Sequence, residues 1–227
     1  MLQNPEPKTP AEIDPLASEI LLRLHRNPAV GEIILGGGFA LQHYVNFRPT
    51  HDIDAWWASA PTTDAKQAVE DAVKGTAERN GYRFRERSWG ETLSYEIIHP
   101  EKNGKVFSFQ ISTRDIQLEP ARETIWSPLL LETLTDNVAS KMNALVDRGA
   151  PRDFLDIHEI VSRSICSIEE CWNLWQRKNP ESDVTEAKHK VLHKIFQIEA
   201  RKPLEHMSDN ERERAFGRRE FFKNEFV

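Results

Sequence analysis

Two aspartates one residue apart, Asp52 and Asp54, lie in the largely apolar stretch Asp52-Ile53-Asp54-Ala55-Trp56-Trp57. Side chains of an extended strand alternate between faces, so this spacing sets both carboxylates on one side and Ile53, Ala55 and Trp57 on the other. Like charges held side by side repel unless a cation sits between them. Hard carboxylate oxygens at this spacing suit Mg²⁺ or Mn²⁺ accompanying nucleotide phosphates. An exposed edge strand could carry the same pair as plain solvated acids, and the two residues alone leave both readings open. Upstream stands Ile34-Leu35-Gly36-Gly37-Gly38-Phe39. Glycine backbone takes positive φ and comes close to a ligand, and amides at the start of a following helix point toward an anion. Glycine-rich turns between strand and helix are common, so this one gains meaning from Arg48-Pro49-Thr50-His51 and the two acids that follow it.

The elements that must position these residues can be read from periodicity. Ile13, Leu16, Ile20, Leu21 and Leu24 recur at helical spacing and predict a helix over 11–25, punctuated by Asn27-Pro28. Glu32 to Leu35 reads as a short buried strand, and a helix carrying Leu41, Tyr44 and Val45 begins near Phe39. Thr63 or Asp64 can cap a helix over 65–79, closed by Asn80-Gly81. Three alternating runs follow at 82–87, 93–98 and 105–112, the last two joined through Lys102-Asn103-Gly104. In the last run Phe107, Phe109 and Ile111 point one way and Ser108, Gln110 and Ser112 the other. That polar face could border the site of the two aspartates.

A second set of charged residues lies nearly a hundred positions later. Leu131, Leu134, Val138, Met142 and Leu145 form the stripe of a helix predicted over 129–146, with Lys141 on its flank. A lysine so placed ordinarily snorkels to solvent. Asp147 to Pro151 ends that helix, and another starts at Arg152-Asp153-Phe154-Leu155-Asp156-Ile157. Asp153 and Asp156 are i, i+3 neighbours, each with an isoleucine four residues on, so both acids border an apolar face and require partners there. A structural network with Arg148, Arg152 or Lys141 would satisfy them, and so would membership of a site.

Taken together, Gly36-Gly37-Gly38 with Ala40-Leu41, Arg48-x-Thr50-x-Asp52-Ile53-Asp54, Lys141-x-x-Ala144-Leu145-x-x-Arg148 and Arg152-Asp153-x-x-Asp156 resemble the AbiEii family. Its members are toxin nucleotidyltransferases of type IV abortive-infection systems, within the DNA polymerase β-like superfamily. The resemblance covers roughly residues 30–165 and is specific in combination. It implies an α+β fold, a small mixed sheet flanked by helices with a helical C-terminal part. The corresponding domains would be a nucleotidyltransferase core with its N-terminal helix over 1–125 and a helical domain over 126–227 that contributes to the active site. It also implies a nucleoside triphosphate with Mg²⁺ or Mn²⁺, transfer of a nucleotide to an acceptor such as the 3′ end of tRNA, and a cognate antitoxin protein. Carried over by motif, Asp52 and Asp54 would hold metal. Gly36, Gly37, Gly38, Arg48, Thr50, Lys141 and Arg152 would bind the nucleotide, and Lys141, Asp153 and Asp156 would complete the catalytic set. The chain departs from the superfamily in two places. The third carboxylate expected on a later strand falls at neutral Gln110, so Asp153 or Asp156 supplies it or a second metal is weakly held. A third glycine also replaces the serine of the usual Gly-Ser.

The whole chain sets bounds on these readings. Its 227 residues, 39% apolar with 11 Phe and 6 Trp, are enough for one large domain or two small ones. A net charge of −6 argues against bulk electrostatic binding of nucleic acid, so any such contact must be local, and no DNA partner is expected. No run approaches the eighteen or so apolar residues of a membrane span and residues 1–8 lack a signal-peptide pattern, which leads to an expectation of a cytoplasmic protein. Cys166 and Cys171 lack the partners of a zinc site and read as structural thiols. Residues 1–10 read as a loose arm. In the C-terminal third, Ser167 to Glu170 is a capping box, and helices follow over 184–201 and after Ser208. The basic clusters 188–194 and 212–219, with Phe216, Phe221 and Phe222, could touch RNA, but interleaved glutamates favour a mixed solvated surface. Three classes of function remain: an active nucleotidyltransferase, a nucleotide-binding module with little or no turnover, and a toxin silenced by a partner.

Overall fold

The computed structural model describes residues 4–113 and 116–227, which divide into two compact units, 4–137 and 138–227. The first unit is α+β. Helix α1 (Pro15–His25) leads to strand β1 (Ile33–Gly36), short helix α2 (Gly37–Gln42), strand β2 (Asp52–Trp57) and helix α3 (Thr63–Arg79). Strands β3 (Arg83–Trp89), β4 (Thr92–Ile98) and β5 (Lys105–Thr113) form the meander, and two short strands follow, β6 (Arg122–Glu123) and β7 (Leu130–Leu131). Among the described residues these seven strands make one mixed sheet in the order β3-β4-β5-β2-β1-β7-β6. β2 runs parallel to β5 and antiparallel to β1, while β1 runs parallel to β7.

Alternation explains why the sheet has one apolar and one polar face. Ile53, Ala55, Trp57, Tyr95, Ile97, Phe107, Phe109 and Ile111 are buried on one side with α1 and α3 residues such as Leu21, Leu24, Val69 and Val73. Burying one such Phe or Leu contributes about 1.5–3 kcal/mol, which holds the strand register because a one-residue slip would turn the whole set outward. α1 is capped by Asp14, whose Oδ1 accepts the Leu16 N–H at 2.9 Å, and whose Oδ2 lies 2.7 Å from His51 Nδ1. α3 is capped one residue earlier than the sequence suggested, by Thr62, which accepts the Ala65 N–H at 3.0 Å.

Two expectations are corrected here. The helix predicted to begin at 129 begins at Leu134, because Leu130 and Leu131 join the sheet as β7 and Thr133 caps α4 (Leu134–Asp147) through the Asp136 N–H at 3.2 Å. The N-terminal arm is not loose where it is described. Asn4 Oδ1 accepts both the Thr135 N–H and its hydroxyl at 2.9 Å, and the Lys8 N–H donates to the His43 carbonyl at 2.8 Å. Residues 1–3 of that arm lie outside the described residues.

The second unit is helical. After the continuation of α4 come α5 (Pro151–Ser162), α6 (Ile168–Lys178), α7 (Val184–Arg201), a 3₁₀ turn (Leu204–His206), α8 (Asp209–Phe221) and a terminal π-helical turn (Phe222–Phe226). Ser167 caps α6 by accepting the Glu170 N–H at 3.1 Å. Cys166 before that cap and Cys171 one turn in are both buried and occupy the positions of a hydrophobic staple. A hydrogen bond between the Cys171 thiol and Cys166, together with burial, pushes the Cys171 thiol far up, as suits a structural pair. Phe222 is fully buried against Phe154 and Phe226, and Trp172 Nε1 donates to the Phe226 carbonyl at 2.9 Å, so Phe222 is part of the core and not a stacking surface for RNA. Among the described residues no helix is long and apolar enough to cross a membrane.

Candidate active site

β2 is the middle strand of the seven, so the Asp52 and Asp54 carboxylates do not belong to a solvated edge. Both are half-buried, alternating with buried Ile53, Ala55 and Trp57. Asp54 is the register partner of Gly36 on one side and of Gln110 on the other, and Asp52 that of Ser108. The polar face of β5 therefore borders the two acids, and the side chain at the expected third-acid position is neutral Gln110. The next acid outward on that face is Glu96 of β4, opposite Ser108, and its carboxylate is held by Arg85 at 2.6 Å and Arg87 at 3.4 Å. Among the described residues no group of three or more His, Cys, Asp or Glu is placed to share one metal ion. A pair of carboxylates completed by substrate oxygens is nevertheless a normal donor set for Mg²⁺, and Asp52 and Asp54 fit it.

The glycines are required by what lies against them. A Cβ on Gly37, where φ is +59°, would stand 2.1 Å from Asp54 Oδ2. One on Gly36 would meet the Trp56 ring at 1.6 Å, and one on Gly38 the Thr50 hydroxyl at 3.0 Å and an Arg48 guanidinium nitrogen at 3.2 Å. The turn thus closes directly on the motif residues. Thr50 Oγ1 donates to Asp52 Oδ1 at 2.7 Å, which fixes that carboxylate. Gln42 Nε2 donates to the Arg48 carbonyl at 2.8 Å and anchors the loop from α2.

Two residues of this region went unrecognised in the sequence. Glu132 is 1% exposed and accepts the Gly37 N–H at 3.1 Å, and fully buried Asn137 donates from Nδ2 to the Gly37 carbonyl at 2.8 Å and to Glu132 Oε1 at 2.6 Å. An internal carboxylate therefore takes one of the amides that the glycine turn presents. Tyr44 donates to the Glu132 carbonyl at 2.9 Å, and burial together with the Glu132 charge pushes its phenol well above the usual range. The available signal was an acid directly after Leu129-Leu130-Leu131, since a carboxylate embedded in an apolar run must find donors.

In the second unit, Lys141 Nζ lies 2.8 Å from Asp156 Oδ2, with the side chains 9% and 0% exposed. Lys141 does not snorkel. Asp153 is also buried and accepts a two-pronged contact from Arg148, 2.9 Å from Nε and 2.6 Å from the terminal nitrogen, as well as the Ala150 N–H at 2.9 Å. It fastens the start of α5 to the end of α4, while Arg152 beside it is exposed. A separate cavity of about 450 Å³ in this unit is lined by Phe154, Ile195, Met207, Arg214 and Arg218, and Lys141, Asp153 and Asp156 do not line it.

A mixed sheet whose middle strand carries paired carboxylates, one of them against a glycine turn, is an arrangement able to hold a cation beside phosphate oxygens. The family model for the nucleotidyl transferase AbiEii toxin of type IV toxin–antitoxin systems matches residues 19–221, and the chain belongs to that family. No curated protein matches the sequence. A solved structure, MenT4, a nucleotidyltransferase toxin from Mycobacterium tuberculosis, is similar to the chain with a TM-score of 0.48 and 19% identity, over 92% of this chain and 82% of that one.

Proposed function

We propose that the protein is a metal-dependent nucleotidyltransferase that moves a nucleoside monophosphate from a triphosphate to the hydroxyl of an RNA acceptor, the 3′ end of tRNA first among candidates. It would act as a cytoplasmic toxin restrained by a cognate antitoxin. The observation that carries the reading is the placement of Asp52 and Asp54 on the middle strand, with Asp54 pressed against Gly37. Membership of the family supports nucleotidyl transfer in general, and the acceptor, the metal and the partner are our assignments.

In this reading Asp52 and Asp54 hold the divalent ion, Asp52 in an orientation set by Thr50. When bound, that ion neutralises charge on the triphosphate and lowers the pKa of an attacking hydroxyl. Gly36, Gly37 and Gly38 let the backbone come close to the phosphates, and Arg48, Thr50 and Arg152 contribute to nucleotide binding. Lys141 neutralises phosphate oxygens with its ammonium group oriented by Asp156. Asp153 acts through Arg148 by positioning α5. The acceptor oxygen attacks the α-phosphorus in line, the bond to the β-phosphate oxygen breaks, and pyrophosphate leaves.

The test is incubation with each labelled triphosphate, Mg²⁺ and total tRNA. The expected result is label on RNA, lowered about 10²–10³-fold in Asp54→Asn, the size of a contact worth roughly 4 kcal/mol. Nucleotide binding by calorimetry without any transfer would instead favour a binding module, the alternative that neutral Gln110 beside Asp54 supports. Healthy growth of an antitoxin-free host with abundant soluble protein would count against toxicity.

A further inference from the structure

The outer strand of the sheet carries a pattern that the site above does not use. β3 reads Arg83-Phe84-Arg85-Glu86-Arg87-Ser88-Trp89, and its register is Arg85 opposite Glu96, Arg87 opposite Ser94 and Trp89 opposite Thr92. Alternation places Arg83, Arg85, Arg87 and Trp89 on one face, with Phe84, Glu86 and Ser88 on the other. The register continues inward from Arg87 through Ser94 and Gln110 to Asp54, and from Arg85 through Glu96 and Ser108 to Asp52. The arginine and tryptophan row therefore shares the sheet face of the two aspartates, three strand spacings or about 14 Å away.

Charge on this end of the face is one-sided. Among the described residues of strands β3 to β5, Arg83, Arg85, Arg87 and Lys105 gather around the Glu96 carboxylate, with Glu91 in the adjoining turn, while the chain as a whole carries −6. Arg85 and Arg87 lean inward to Glu96, Lys105 Nζ donates to Ser108 Oγ at 3.2 Å, and the arginine side chains remain 45% and 53% exposed. Trp89 is 51% exposed at the end of β3, beside the two-residue turn Gly90-Glu91. Charges on an edge strand can simply guard against sheet-to-sheet association, but that purpose does not require an indole in water. Cations at every second position with an aromatic at the end suit a single strand, whose phosphates repeat along an extended backbone and whose bases stack on an exposed ring.

We propose that the Arg83, Arg85, Arg87 and Trp89 face of β3 binds single-stranded RNA, phosphates on the guanidinium groups and a base on Trp89, and leads the strand across β4 and β5 toward Asp54. The inference rests on the reading of a nucleic acid as acceptor. It assigns recognition of that acceptor to the β3 edge of the sheet, on the other side of β2 from the glycine turn.

The test is fluorescence anisotropy of the full chain with a labelled single-stranded RNA of about ten nucleotides, without triphosphate or metal, across a KCl series. Arg87→Gln should weaken binding severalfold and reduce the slope of log affinity against log salt by about 0.7. Trp89→Ala should weaken it about tenfold with an unchanged slope, and Trp89→Phe should restore most of the loss. These side chains are exposed, so each variant should fold, which circular dichroism checks. A matching DNA strand distinguishes the source of the phosphates: equal binding supports a reader of phosphate and base alone, and preference for RNA supports added recognition of the ribose. Unchanged affinity in both Arg87→Gln and Trp89→Ala would overturn the proposal. So would displacement of the RNA by polyglutamate at equal charge concentration, which would make the surface a seat for an acidic protein segment. Failure of the transferase reading looks different, namely wild-type protein that binds RNA through this strip and transfers nothing. Failure of the strip alone appears as transfer with an unaltered KM for RNA in both variants.

Discussion

At Gly37 a methyl group would have to share space with Asp54 Oδ2, 2.1 Å from where its Cβ would stand, in a backbone with φ of +59°. Gly37→Ala is expected to lose about 1–2 kcal/mol from the left-handed backbone alone and to displace Asp54 as well. Gly31→Ala is the control, because Gly31 has φ of +68° and nothing within 4 Å of its added Cβ. Denaturant melts should show both variants destabilised, Gly37→Ala more so, and only Gly37→Ala should lose nucleotide transfer. The Lys141–Asp156 pair makes a different demand. Its two charges are 9% and 0% exposed, so Lys141→Met strands a buried carboxylate and should cost about 3–5 kcal/mol. Adding Asp156→Leu should restore most of that stability but no transfer. A double variant that regained activity would show the pair to be structural alone.

The elements hold these residues by unequal means. The meander β3 to β5 falls where the alternating runs of the sequence placed it, and α7 spans the predicted 184–201, because a repeat of apolar residues sustained over many positions is a local signal. Strands of two residues, β6 and β7, have no room to show a period, and β7 was absorbed into the predicted α4 for that reason. The terminal π-helical turn is held from within by side chains. Phe222 is fully buried and Phe216 on α8 is 54% exposed. Phe222→Ala should therefore lower stability by about 3–5 kcal/mol, while Phe216→Ala should remain within about 0.5 kcal/mol, as read from urea midpoints.

Two histidines set a pH limit on the folded chain. His43 packs against Phe39 and Trp126 with Nδ1 3.0 Å from the Phe39 carbonyl, and burial holds its imidazole below the ordinary value of 6.5. Burial, followed by the nearby Arg218 charge, does the same to His158. A base whose pKa is depressed on folding binds its proton more readily when unfolded, so stability is full above pH 6.5 and falls as pH drops through the folded pKa values. Melting temperatures should decline as pH falls below 6.5, and His43→Phe should make that decline shallower. An unchanged pH profile in that variant would refute the assignment.

The sequence by itself determined the meander and the grouping of Asp52 and Asp54 on one face, since these follow from local alternation and turn residues, while the α+β class was implied by the family resemblance of its motifs. It also brought Gln110 into view beside the acids, which the register of β2 with β5 confirms. Only the tertiary structure decided that β2 is the middle strand, that Gly37 is pressed on Asp54 and bonded to Glu132, and that Lys141 is buried on Asp156. Strand order and the partners of buried charges depend on contacts between residues distant in the chain. No periodicity records them, because they are fixed by packing and by the need to pair each polar group removed from water.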